Sequence, residues 1–236
     1  MPKNYVILCY DDLMIFPIKA LMSPYPGGIV YCPGEPQFFG GGVEGGEGPL
    51  TTLQRELDEE SAHTFRLNGY VNQPVFRGSY PTRKGRVECC FYYSVDWTFL
   101  DRWPDLREWQ QLPNACREMC FVATVLRSDF DRVMFPGINT PPPWTIFEVL
   151  TRVARQQAPR WARDQIRPFS SDEFDRSLTF QAFICFVNSW LTETLPGWPL
   201  PPRPLVPRED VSIVSRRLAT ASSRLICHQR IPSGVS

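Results

Sequence analysis

Between Gly41 and His63 the chain reads Gly-Gly-Val-Glu-Gly-Gly-Glu-Gly-Pro-Leu-Thr-Thr-Leu-Gln-Arg-Glu-Leu-Asp-Glu-Glu-Ser-Ala-His. A glycine-rich loop that runs straight into a helix constrains the fold more than any other stretch. Pro49 suits the first helical position, where a missing N–H costs nothing. Leu50, Leu53 and Leu57 recur at the spacing of one apolar helix face, so all three are predicted to face a core. Glu56, Glu59 and Glu60 stand at i, i+3 and i+4, which predicts that their carboxylates gather away from those leucines. Arg55 can grip a carboxylate with both arms of its fork. Glu47, in the loop, is its expected partner, and that pair would pin the loop to the helix.

Carboxylates brought this close repel one another and resist ionising together. A hard divalent cation relieves that cost, and carboxylate oxygens are the donors that Mg²⁺ and Mn²⁺ prefer. An acidic helix face alone would read as solvated surface. The glycine loop and Arg55 turn the reading toward a metal site.

In register, Gly41, Glu47, Arg55, Glu56, Leu57, Glu59 and Glu60 resemble the signature of the Nudix hydrolase superfamily, G-x5-E-x7-R-E-U-x-E-E-x-G-U, with U a bulky aliphatic residue. Ala62 stands where the signature has glycine, and His63 where it has an aliphatic residue. The departure falls on the helix exit, since alanine tolerates a left-handed terminus less well than glycine. The resemblance implies an α/β fold: a Nudix-type α/β/α sandwich with a mixed sheet over residues 1–158. It implies a metal-dependent pyrophosphohydrolase that cleaves the diphosphate of a nucleoside diphosphate linked to another moiety X, of ADP-ribose or dinucleotide type. The implied cofactor is Mg²⁺ or Mn²⁺, held by Glu56, Glu59, Glu60 and the backbone at Gly41. Glu59 or Glu60 would orient or deprotonate the attacking water, with Arg55 and Glu47 completing the catalytic set. Glu88 and Glu118 are carboxylates outside the signature that could take that role.

Arg77, Arg83, Lys84 and Arg86 crowd a predicted hairpin loop, Gly78 to Gly85. With Glu88 they are the candidate substrate-binding residues for a phosphate-rich substrate. That keeps open a second reading, an RNA-cap or diphosphoinositol polyphosphate hydrolase. A third, of another class, is a catalytically silent nucleotide-binding sensor. A sensor has no need of a self-repelling carboxylate cluster, which argues against it.

The expected partner is therefore a small-molecule nucleotide, with RNA not excluded. Lysine plus arginine (25) balance aspartate plus glutamate (25). Zero net charge supports neither a general nucleic-acid binder nor a membrane-surface binder, although it allows a local basic patch. No apolar run reaches membrane-spanning length. The cysteines form no Cys-x-x-Cys pair and several lie in apolar runs, as reduced cysteines do. The expected setting is reduced and cytoplasmic.

Asn4 to Tyr10, Leu13 to Ala20, Ile29 to Cys32, Gly69 to Arg77, Arg86 to Trp97 and Glu118 to Leu126 read as strands. Trp144 to Gln157 carries an amphipathic helical stripe. Residues 159–195 form a helical extension, opened by a capping box at Ser170 and Glu173. Its helix is apolar over most of its circumference and is expected to pack on the body, or else to carry a homodimer contact. Residues 196–236 form a proline-rich tail, unsuited to helix or inner strand.

Overall fold

Four apolar residues in succession, Val6 to Cys9, are buried only if both faces of their strand are covered, which puts that strand inside a sheet. The computed structural model of the chain places it there. The structure describes residues 1–10, 12–29, 32–69, 73–101, 104, 106–131, 141–164, 166–167 and 178–196. In chain order the elements are β1 (Lys3–Tyr10), β2 (Leu13–Lys19), β3 (Phe39–Gly42), α1 (Pro49–Ser61), β4 (Phe65–Leu67), β5 (Phe76–Thr82), β6 (Gly85–Ser94), β7 (Trp97–Phe99) and α2 (Leu106–Gln111). A short 3-10 turn (Ala115–Arg117) then leads to β8 (Met119–Leu126), α3 (Ser128–Asp131), α4 (Pro143–Gln157), α5 (Arg160–Arg163) and α6 (Leu178–Leu191).

The main sheet runs β5-β6-β1-β2-β8, with β3 paired to β1, while β4 and β7 form a small second sheet. β1 and β6 are parallel and the other pairs antiparallel, so the main sheet is mixed. Its β1–β2 hairpin splays. The two strands pair only from Leu8 to Tyr10 against Leu13 to Ile15. Beyond that point β3 takes the edge of β1, matching Lys3 to Val6 with Gly42 to Phe39. The segment leading into β3 follows β2, with the Gln37 N–H donating to the Pro17 carbonyl at 2.8 Å. Pro17, which has no N–H to offer, lies where β2 has left β1 and presents its carbonyl to the wedge. This wedge lays the glycine loop across the N-terminal half of β1.

Alternation along β1 sends Val6 and Leu8 to one face and Ile7 and Cys9 to the other. The first face packs with Leu53 and Leu57 of α1, together with Phe39, Phe65 and Trp97. The second packs with Phe147 and Leu150 of α4 and Phe183 and Phe186 of α6. A mixed sheet with helices on both faces is an α/β/α sandwich. The C-terminal helix α6 belongs to the same core: Phe180, Phe183, Phe186, Val187 and Trp190 are all buried in it.

Several sequence expectations shift. Leu50 is 40 % exposed, so the buried face of α1 runs through Thr52, Leu53, Leu57, Glu60 and Ser61 instead. Glu60 consequently lies among the buried residues rather than on a separate acidic face. Ile29 and Cys32 are not in a strand. Strand β5 begins at Phe76 and continues to Thr82, through the stretch read as a loop; β6 starts at Gly85, leaving Arg83 and Lys84 as the turn. A short polar sequence on an edge strand carries little apolar periodicity, which is why the loop reading failed. Ser170 and Glu173, and the tail from residue 197 onward, lie outside the described residues. Cys89, Cys90, Cys116, Cys120 and Cys185 are free thiols, and no described helix is long and apolar enough to cross a membrane.

Candidate functional site

The site begins at the turn Glu44 to Glu47, closed by a Glu47 N–H to Glu44 carbonyl hydrogen bond of 2.8 Å. Its two central residues have positive φ, +52° at Gly45 and +82° at Gly46, a geometry that glycine adopts without strain. The turn aims the Glu47 carboxylate at α1. Arg55 meets it with both arms, Nε on Oε1 at 3.1 Å and Nη2 on Oε2 at 3.2 Å. The same Nη2 donates to the Gly42 carbonyl at 2.7 Å, and Nη1 donates to Glu56 at 3.0 Å and Glu59 at 3.5 Å. Thr52 Oγ1 adds a hydrogen bond to Glu47 at 3.1 Å. The expected loop-to-helix clamp is present, and it is wider than one ion pair. Arg55 holds the Glu47 carboxyl below the usual carboxylate range.

Glu60 lies one turn beyond Glu56 on α1, turned into the buried face. The Gly40 N–H donates to its Oε2 at 2.8 Å. Burial pushes its carboxyl well up, Lys19 and the Gly40 N–H oppose this, and Glu56 and Glu118 add to it. Glu56 is also pushed up, first by burial, with Arg55 opposing and Glu59 and Glu118 reinforcing. Glu56 lies directly against Gly41: a Cβ there would stand 2.5 Å from its carboxylate carbon and oxygens. Glycine at 41 is thus what lets the carboxylate reach the loop backbone. Glu59 is more open, with its side chain 44 % exposed.

Among the described residues, no group of three His, Cys, Asp or Glu side chains converges as a ready-made metal site. Arg55 engages Glu56 and Glu59, while the Gly40 N–H engages Glu60. In donor type the set still fits a hard cation. Two carboxyls held above their ordinary range by burial and mutual repulsion flank a glycine backbone, and a cation would discharge that strain.

Three residues join the site that the local pattern did not single out. Lys19, at the end of β2, sits 3.4 Å from Glu118 Oε2, and the Tyr25 hydroxyl donates to Glu118 Oε1 at 3.3 Å. The negative fields of Glu60 and Glu56 also reach the Tyr5 hydroxyl, whose pKa burial chiefly raises. Lys3, Tyr5, Lys19, Tyr25, Gln37 and Glu118 contribute to the wall of a cavity of about 390 Å³. Glu118, a candidate from the sequence, thus stands at the cavity beside the carboxylate pair. No local signal marks Lys19, Tyr5 or Tyr25, because strand pairing places Lys19 and Tyr5 here and the loop after β2 brings Tyr25 to Glu118.

The predicted substrate-binding group lies elsewhere. Arg83 and Lys84 form the tip of the β5–β6 hairpin, while Arg77 and Arg86 lie along its strands, so they do not crowd one loop. Arg86 donates to Ser79 Oγ at 2.6 Å, and Glu88 faces Ser79 across the ladder. All five residues are exposed. Among the described residues, no hydrogen bond or ion pair joins them to Glu47, Glu56, Glu59 or Glu60.

Fold and site together define an α/β/α protein with a glycine loop clamped onto an acidic helix. Among solved structures, the chain is similar to the E. coli ORF135 protein, at 15 % identity over 54 % of this chain and 74 % of that one, with a TM-score of 0.37. It is also similar to a MutT Nudix hydrolase from Burkholderia pseudomallei, at 13 % identity over 53 % and 82 %, with a TM-score of 0.37. A third is an ADP compounds hydrolase, at 18 % identity over 44 % and 50 %, with a TM-score of 0.32. No family model matches the chain, and no curated protein does.

Proposed function

We propose that the chain is a metal-dependent pyrophosphohydrolase of the Nudix type, cleaving the diphosphate of a nucleoside diphosphate linked to another moiety. The observation that carries this reading is the clamp itself. Arg55 fixes Glu47, Glu56 and the Gly42 carbonyl in one bracket, and Glu60 is anchored on Gly40. Such an arrangement supports a role in which carboxylates and loop backbone act as a unit.

Glu56, Glu59 and Glu60, with the backbone at Gly41, would hold Mg²⁺ or Mn²⁺. A bound cation supplies charge neutralisation for the phosphate oxygens and a more acidic water. The protein's own part is positioning. Arg55 keeps Glu56 from turning away, and the Gly40 N–H keeps Glu60 oriented. Lys19, balanced between Glu118 and the field of Glu60, offers a cation to a substrate phosphate in the adjoining cavity. Tyr25, 45 % exposed at the cavity wall, offers a ring face to a base. Glu59 or Glu118 is left to receive the proton of the attacking water.

The test is a hydrolysis screen with Mg²⁺ or Mn²⁺ over ADP-ribose, dinucleoside polyphosphates, nucleoside triphosphates, capped RNA and diphosphoinositol phosphates. Turnover of at least one, abolished by chelator and by Glu60→Gln, is the expected result. No turnover of any of them by folded protein with either ion overturns the reading.

A further inference from the structure

Strand register places Arg77, at the base of the basic hairpin, in line with the carboxylates. Asn4 pairs with Gly41 on one side and with Cys90 on the other, and Cys90 pairs with Arg77. Gly41, Asn4, Cys90 and Arg77 therefore form one row across four strands, and opposed residues in a row share a face. That face is the one α1 covers, since Val6 and Tyr92 pack beside Leu53 and Leu57. Glu56 leans on Gly41 at one end of the row, and Arg77 is exposed at the other. Three strand spacings of about 4.8 Å put Arg77 about 14 Å from Gly41. Beyond Arg77 the same face carries Ser79, Glu88 and Arg86, and the hairpin ends in Arg83 and Lys84. Arg77, Arg86 and the two tip residues are all exposed, and none makes an ion pair among the described residues.

We propose that this open face of β5–β6 is a track for the phosphate backbone of a single-stranded nucleic acid whose end lies at the Glu56–Glu60 site. The inference rests on reading that site as hydrolytic, and it names the larger substrate the site would accept. Length decides the class. Arg77 to Arg83 spans six residues along the strand, about 20 Å at about 3.3 Å each, at right angles to the 14 Å from Gly41, which puts the hairpin tip about 24 Å from the loop. A mononucleotide or a compact inositol polyphosphate cannot span that distance, whereas an extended chain can. Charges on an edge strand also deter strand pairing, but that role is served by either sign. Here Arg77, Arg83, Lys84 and Arg86 are opposed by Glu88 alone, in a chain whose overall charge balances. The aromatic of β6 on this face, Tyr92, is buried beside Leu53 and Leu57 and offers no ring to a base, so recognition is through phosphates and independent of base sequence.

Binding of a fluorescein-labelled, 5′-phosphorylated single-stranded oligouridylate to the full chain is measured by anisotropy in chelator, across a salt series. The expected result is salt-dependent binding that is indifferent to base sequence. Arg77→Ala and the double variant Arg83→Ala/Lys84→Ala should weaken it, with the slope of log K against log salt falling by about 0.7 for each phosphate no longer neutralised. Melting temperatures of these surface variants should stay at the wild-type value, which separates a weaker grip on phosphate from a damaged fold. Absence of binding, binding unaffected by both variants, or equal binding of a duplex of the same length overturns the proposal. Displacement of the oligonucleotide by inositol hexakisphosphate at equal phosphate concentration overturns it too. Failure of the track shows in this binding assay, whereas failure of the hydrolase reading shows in turnover of ADP-ribose and its congeners.

Discussion

At the scale of single residues, adjacent glycines separate fold from chemistry. A Cβ at Gly40 would strike the backbone of Asn4 and Tyr5, and Gly40 also has φ +140°, so Gly40→Ala must disturb the β1–β3 pairing. At Gly41 the three atoms nearest a Cβ all belong to the flexible end of Glu56. Gly41→Ala is thus expected to melt close to the wild-type temperature while losing most hydrolytic activity, because Glu56 can no longer rest on the loop. Wild-type turnover in that variant would remove Gly41 and Glu56 from the site. Glu60 gives a second test. Its folded carboxyl sits well above its ordinary range through burial, so between the ordinary and the raised value the folded state binds the extra proton. Stability from this group is therefore lost as pH rises through that window. In chelator, Glu60→Gln should raise the melting temperature at neutral pH, and the gain should fade as pH falls into the ordinary carboxylate range. A variant less stable than wild type at neutral pH in chelator would contradict the buried, strained carboxyl.

At the scale of elements, Arg55 decides how loop and helix meet. Its guanidinium spreads over Glu47, Glu56, Glu59 and the Gly42 carbonyl, and lysine lacks the planar fork to reproduce that. Arg55→Lys should cost about 1.5–3 kcal/mol in urea unfolding, the scale of a hydrogen bond to a charged group, and most of the activity. A variant indistinguishable from wild type in both measurements would refute the clamp. The other end of α1 is strained. Ala62 and His63 both have positive φ, 49° and 57°, and a non-glycine residue pays about 1–2 kcal/mol there. Part of the relief is offset by the flexibility that glycine gives the unfolded chain. Ala62→Gly should nevertheless stabilise by about 0.5–1 kcal/mol, and a drop in the unfolding midpoint would show that the left-handed exit is not what limits the helix.

For the whole molecule, α6 is structural. Phe180, Phe183, Phe186, Val187 and Trp190 are buried in the core that also holds β1, β2 and α4. At about 1.5–3 kcal/mol per fully buried large side chain, their gross contribution is on the order of 10 kcal/mol, comparable with the net stability of a domain. A fragment ending at Ala158 is expected to aggregate or to bind dyes that report exposed apolar surface. A soluble, cooperatively melting fragment of that length would show that α6 is dispensable.

Short-range order was legible in the sequence. The loop, the helix start at Pro49 and the Glu47–Arg55 pair depend on residues a few positions apart, and helix periodicity carries that information directly. The inner strands were legible for the same reason, as apolar runs with nowhere else to go. The helices behind them were legible from their own apolar patterns, but their arrangement as a layer came only through the resemblance. What the tertiary structure alone decided lies at long range. Tyr25 and Lys19 meet Glu118 across 93 and 99 positions, and Gly41 shares a row with Arg77 through two intervening strands. The burial of Glu60 follows from the wedge of β3 between β1 and β2. Hydrogen-bonded strand pairing is blind to local composition: any extended backbone can take the edge of another, so register must be seen before the site can be assembled.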